Sequence, residues 1–175
     1  MTLYRFGVRD AKIAVWVSAN NWGTLVDLLG IRSIEVAIDV QEAELEGDDV
    51  VLDTHSKAIK VTGTVEHAAL TLDTLAIMTG ETVASPTGAT ELVFGQTDRP
   101  YFGLVGKIHG TGDGGDSHIL VPKAKLMGPL RWRFQGGQYV TPGFQFTGVY
   151  EGAVNGFARL RHNVAADDIE LPFPA

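Results

Sequence analysis

The chain has no cysteine among its 175 residues. That absence excludes a disulfide framework and any thiolate metal site, and it fits assembly in a reducing or redox-indifferent compartment. His, Asp and Glu are the only metal ligands left. Long apolar runs are missing too. The opening MTLYRFGVRDAKIAVWV is interrupted by Arg5, Arg9, Asp10 and Lys12, so neither a secretory signal nor a bilayer-spanning helix is expected, and a soluble protein made in the cytoplasm is. Positive charge is sparse, with 14 Lys and Arg against 21 Asp and Glu for a formal charge of -7. So few cations release few counterions from nucleic acid, which argues against tight sequestration of DNA or RNA. Catalytic signatures are absent as well. There is no G-x-S-x-G elbow, and Ser18, Ser33, Ser56, Ser85 and Ser117 lie in no recognisable nucleophile setting. No enzyme activity and no cofactor are expected.

What is present is a period of two. Ile34, Val36, Ile38 and Val40 share one face of SIEVAIDV, with Glu35 and Asp39 on the other. Ile59, Val61 and Val65 repeat the pattern, as do Phe102, Leu104 and Ile108, then Trp132 and Phe134, then Phe144, Phe146 and Tyr150. Most of the 21 Gly and seven Pro fall between these runs, where turns need positive or fixed φ. Many short strands joined by Gly/Pro turns predict an all-β sandwich or barrel. With 45% hydrophobic residues the chain can bury one sizeable core, and a single domain over 1–175 is expected. One segment departs from the period: HAALTLDTLAIMTG sets Ala68, Leu72, Leu75, Ala76 and Thr79 at helical spacing before Gly80, predicting one amphipathic helix over about 67–79. Thr24 to Leu29 fits helix or strand equally. The ending ARLRHNVAADDIELPFPA has no strong period and reads as an arm that needs a surface to dock on.

Two stretches invite a chemical reading. KIHGTGDGGDSHILV, Lys107 to Val121, contains G-x-G-x-x-G, but the strand-like SHILVPKAKL that follows has no helix to hold a dinucleotide phosphate. His109, Asp113, Asp116 and His118 fit neither an EF-hand loop nor a zinc helix, so no metal is expected, and the stretch reads as a flexible hairpin tip. Its residues Gly110, Gly112, Asp113, Gly114, Gly115 and Asp116 are expected to become ordered at a contact with a neighbouring subunit. The second stretch, EVAIDVQEAELEGDDVVLD, carries eight acids with no intervening Lys or Arg. A paired-carboxylate glycosidase site needs a cleft, which nothing here supplies. A solvated hairpin turning at Gly47 is expected instead, with Glu35 and Asp39 on a negative surface that a polyanion would not stick to. His55, His67 and His162 are isolated in the sequence, and Trp16, Trp22, Trp132, Phe144 and Phe146 alternate with polar residues as core side chains do.

In order along the chain, YRFGVRDAKIAVW, EAELEGDDVVLDT, AIKVTGTVEHAAL, TLDTLAIMTG, RPYFGLVGKI, HILVPKAKL and RFQGGQYVTPGFQFTGVYEG resemble the landmarks of major tail tube proteins of long-tailed, siphovirus-like bacteriophages. The resemblance spans residues 5–152 and rests on patterns of turns and strands. It implies an all-β fold with one flanking α-helix and two packed antiparallel sheets, a sandwich or partial barrel of the phage tail tube type. Six subunits would form a ring, and stacked rings a hollow tube through which DNA passes to the host without tight binding. The inter-ring stacking hairpin would lie on residues 41–56, with Glu42, Glu44, Glu46, Gly47, Asp48, Asp49 and Asp53. Glu35 and Asp39 become lumen-facing acids, and arms fall at about 1–8 and 157–175. The partners implied are further copies of the chain, a tape measure protein and tail terminator or tip proteins, with no membrane. The location implied is the virion tail, assembled in the host cytoplasm. A tube protein of a contractile or type VI-like system shares that architecture. A carbohydrate-binding β-sandwich module is the alternative from another class.

Overall fold

The computed structural model describes residues 4–47, 50–69, 71–111, 115–130, 136–137, 142–164 and 169. The alternating segments form strands β1 (Tyr4–Ser18), β2 (Asn21–Trp22), β3 (Val26–Asp27), β4 (Ile31–Gly47), β5 (Val50–His67), β6 (Val83–Ala84), β7 (Glu91–Leu92), β8 (Tyr101–Thr111), β9 (Asp116–Met127), β10 (Gly143–Gly148) and β11 (Arg159–Val164). Helix α1 spans Leu72–Thr79. All strand pairings among the described residues are antiparallel.

Two packed sheets were the expectation. Among the described residues the hydrogen bonds instead trace one nine-stranded sheet, β2-β1-β8-β9-β10-β5-β4, with β3 added on β1 and β11 on β9, beside a separate β6–β7 ribbon. Layers arise because the sheet coils over itself. β1 and β4 stand far apart in hydrogen-bonding order yet approach each other without pairing, so the barrel stays open. Gly106 of β8 lies under β4, where a Cβ would meet Ile34 Cδ1 at 2.5 Å. Ile13, Val61, Val65, Phe102, Leu104, Phe144 and Phe146 fill the interior, and burial of each such side chain contributes about 1.5–3 kcal/mol. Phe146 faces Gly63 on the neighbouring strand, and its ring occupies the room a side chain at 63 would need.

One edge of β9 is shared. Its residues 124–127 pair with β10 and its residues 116–120 pair mainly with β11, while β8 runs along the other edge. Pro122 sits at that seam, opposite a register shift between Phe102 and Leu104, where a missing N–H is tolerated. Its carbonyl accepts a 2.7 Å hydrogen bond from Trp22 Nε1.

The helix begins later than the expected 67–79. His67 completes the inward series Val61, Gly63, Val65 on β5 and is fully buried, so the strand period overrides the helical spacing through residue 67. Thr71 then caps α1 by accepting from the Thr74 N–H, and Gly80 closes it at φ 79°. The ambiguous segment Thr24 to Leu29 contributes only the two-residue strand β3. Parts of both expected arms are strands within this chain: residues from Tyr4 onward pair with β8, and Arg159–Val164 pairs with β9.

Candidate functional site

The acidic stretch forms the outer part of the β4–β5 hairpin. The ladder continues from Gln41↔Lys57 through Glu44↔Thr54 to Gly47↔Val50, so Gly47 belongs to the strand, and Asp48 and Asp49 lie outside the described residues. Residues 41–45 and 51–57 are all exposed. A two-stranded ribbon about 20 Å long at 3.3 Å per residue therefore leaves the body. Period two predicts Ile38, Val40 and Ile59 as core. The register shifts between Asp39 and Val40, and all three are exposed as the ribbon departs. Leu45 and Leu52 farther out are 61% and 65% exposed. Glu42 and Glu44 share one face, while Asp53 stands opposite Leu45 on the other and accepts from the Thr54 N–H. These carboxylates lie along an open ribbon with no enclosing wall, which does not suit glycoside hydrolysis.

Glu35 and Asp39 do face away from the core, in the row Glu35↔Thr64, Ala37↔Thr62 and Asp39↔Lys60. Glu35, Ala37, Thr62, Thr64, Gln145 and Thr147 line a shallow depression there. This face is less negative than the sequence implied, because Lys60 stands 3.7 Å from Asp39. Toward β8 and β1 it turns basic and aromatic: Lys123 Nζ lies 3.8 Å from the Trp16 ring centroid and 4.5 Å from that of Tyr101, and Lys125 lies 5.4 Å from Tyr101. Ammonium groups over these rings take the place a sugar would stack on.

The Lys107–Val121 stretch is mostly strand. Gly110 lies in β8 and Asp116 opens β9, which corrects their placement in a flexible tip, while Gly112, Asp113 and Gly114 lie outside the described residues. Gly115, at φ 62°, precedes β9. Asp116 is 3% exposed and is held by three donors. Oδ1 accepts from the Gly110 N–H at 3.1 Å and from His109 Nδ1 at 3.2 Å, and Oδ2 pairs with buried Lys107 Nζ at 3.3 Å. The Gly110 hydrogen bond is the main reason its carboxyl sits below the ordinary range, with Lys107 and His109 adding to it against burial. His118, directly across from Lys107 and Arg161, is buried. Desolvation, reinforced by those two cations and opposed by Asp116, pushes its imidazole down toward the neutral form. Among the described residues no three His, Asp or Glu side chains gather as a metal site. Val105 and Leu120 flank this cluster in a small second core closed by Ile169.

His162, isolated in the sequence, meets Ser117 Oγ at 2.8 Å through Nδ1. The pair resembles a nucleophile and its base, but Asp116 lies on the opposite face of β9, where it cannot orient the imidazole. The hydroxyl is also buried, at 1% exposure. His67 is likewise not a surface residue: its Nδ1 donates to the Ala69 carbonyl at 2.8 Å, and burial lowers its pKa. Glu151 forms another polar junction, accepting from the Asn20 N–H at 2.9 Å and from Asn155 Nδ2, and thereby ties the β1–β2 turn to the loop after β10. Nothing in the sequence period marks these contacts: Asn20 and Glu151 lie 131 positions apart, Ser117 and His162 lie 45 apart, and His109 and Asp116 stand on opposite sides of a hairpin. No known protein-family model matches the chain, and no curated protein matches it.

Proposed function

We propose that the chain is a structural subunit that associates with copies of itself into six-membered rings and stacks those rings into a hollow tube of the phage tail type. The observation that carries the reading is the β4–β5 ribbon. An isolated two-stranded ribbon is marginal in water, and this one presents Val40, Leu45, Val51 and Leu52 to solvent. Exposed apolar side chains on a projecting, acid-rimmed element are what an interface between subunits needs. Glu42, Glu44 and Asp53 would set the register of stacking through charge. The outward row Glu35, Thr62, Thr64, Gln145 and Thr147 would line the bore, where hydroxyls and a carboxylate give a passing polyanion no strong minimum. A contractile or type VI-like tube would use the same parts.

Negative-stain microscopy and sedimentation of the full chain test this against a variant lacking Glu44 to Asp49. Six-fold rings or tubes are expected for the full chain, and folded, unstacked particles for the deletion. A full chain that stays monomeric at high concentration overturns the reading. Unfolding of the deletion variant, seen by circular dichroism, assigns the ribbon to the core instead.

A further inference from the structure

We infer that the depression between the bulged start of β1 and the far end of β8 binds a phosphate group, with Arg9 and His109 as its donors. Gly7, Val8, Arg9 and His109 line this depression together. The β1–β8 register slips twice there, between Arg5 and Val8 and between Val8 and Asp10, so the strand bulges opposite His109. Bulges re-aim side chains and open the ladder, and they recur beside functional sites. Gly7 adopts φ +66°, and among the described residues nothing lies within 4 Å of the position a Cβ would take, which leaves room above the backbone.

The two donors are prepared differently. His109 is anchored from behind. Its Nδ1 is engaged by Asp116, whose side chain is 5% exposed and is itself fixed by Gly110 and Lys107, while the imidazole remains 44% exposed. Because the ionised carboxylate can only accept, Nδ1 carries a hydrogen, and Nε2, which donates when the ring is an imidazolium, is left for the depression. A buried carboxylate that orients an exposed imidazole is a positioning device, since it fixes ring angle at no cost when a ligand arrives. Arg9 is exposed and makes no ion pair or hydrogen bond among the described residues. The charge balance excludes the obvious alternative of a metal ion: Asp116 already faces the Gly110 N–H, His109 and the Lys107 ammonium, and Arg9 lines the same depression. An anion with several acceptor oxygens can instead take the planar guanidinium fork and the imidazole at once. No residue of the β4–β5 ribbon takes part, so the inference stands independently of tube assembly.

Inorganic phosphate titrated into the full chain at constant ionic strength, followed by the His109 ring and Arg9 side-chain NMR signals, tests it. Saturable shifts are expected, and R9Q and H109A should each weaken the response about tenfold or more while leaving the melting temperature near that of the parent. The inference is overturned by shifts that do not saturate, by acetate acting as well as phosphate, or by both variants responding like the parent. A short oligonucleotide with and without a 5′-phosphate identifies the source of the group. Binding only with the 5′-phosphate assigns a phosphomonoester, binding of both assigns a backbone phosphodiester, and binding of neither beside bound inorganic phosphate assigns the free ion.

Discussion

Substitution of Gly63 by alanine tests how the sheet curls. A Cβ at that position would lie 2.4 Å from the Glu35 carbonyl oxygen on β4 and 2.4 Å from Phe146 Cζ on β10. Ordinary contact begins near 3.4 Å, so one strand and one ring must each yield by about 1 Å, while Val61 and Val65 on either side are fully buried and hold β5 in place. Overpacking of a tight core costs about 1–3 kcal/mol, and a clash on two sides places G63A at about 3 kcal/mol. For a domain of this size that is a fall in melting temperature of about 6–12 °C. Urea unfolding of G63A, F146L and the double variant separates the two clashes. Phe146→Leu relieves the ring contact but not the carbonyl contact, so the double variant should be more stable than the sum of single losses by about 1 kcal/mol, without full recovery. G63A within about 0.5 kcal/mol of the parent would refute the argument, because surface-like tolerance at 63 is incompatible with a ring packed against its Cα.

Two further outcomes follow from the buried polar groups. His67 and His118 both sit below their ordinary 6.5 in the folded protein, chiefly through desolvation, so the unfolded chain binds their protons first. Their contribution to stability is complete above about pH 6.5 and declines as pH falls below it, and Asp116, depressed below 3.8, adds a second loss only at still lower pH. Urea midpoints measured from pH 8 to 5 should therefore fall toward acid, less steeply in H67Q, and a flat profile contradicts the assignment. Asp116→Asn deprives buried Lys107 of that counter-charge and should cost about 3–5 kcal/mol, whereas K107M combined with D116L should cost less than the single change. Equal losses in denaturant titration would show that the ion pair is not what the site depends on.

The sequence made some of this plain. The alternation of Phe102 with Leu104 and of Phe144 with Phe146 marked strands whose buried face is the core, and Gly80 marked the helix end, because period and left-handed caps are local signals. Helix onset was misplaced because His67 continues the alternation of β5, and a cap at Thr71 outcompetes the apolar spacing from Ala68. The continuity of the sheet was not legible, since pairing between β1 and β8 joins segments about 90 residues apart. The run of carboxylates marks the ribbon as exposed, but alternation puts Ile38, Val40 and Ile59 in the core, because it does not say where a hairpin leaves the body. The Lys107, Asp116 and His118 cluster was hidden by its glycines. Runs of Gly and Asp usually signal turns, and here the strands extend into them from both sides.

The seam at Pro122 has a mechanical meaning. β10 and β11 hang from different lengths of the same edge of β9, so β11 can peel away without breaking any ladder bond of β10. A pull on the carboxyl-terminal segment is thus taken up at residues 116–120 and stops at a proline that has no N–H to transmit it. The molecule can lend one strand while the part holding Phe144 and Phe146 stays shut.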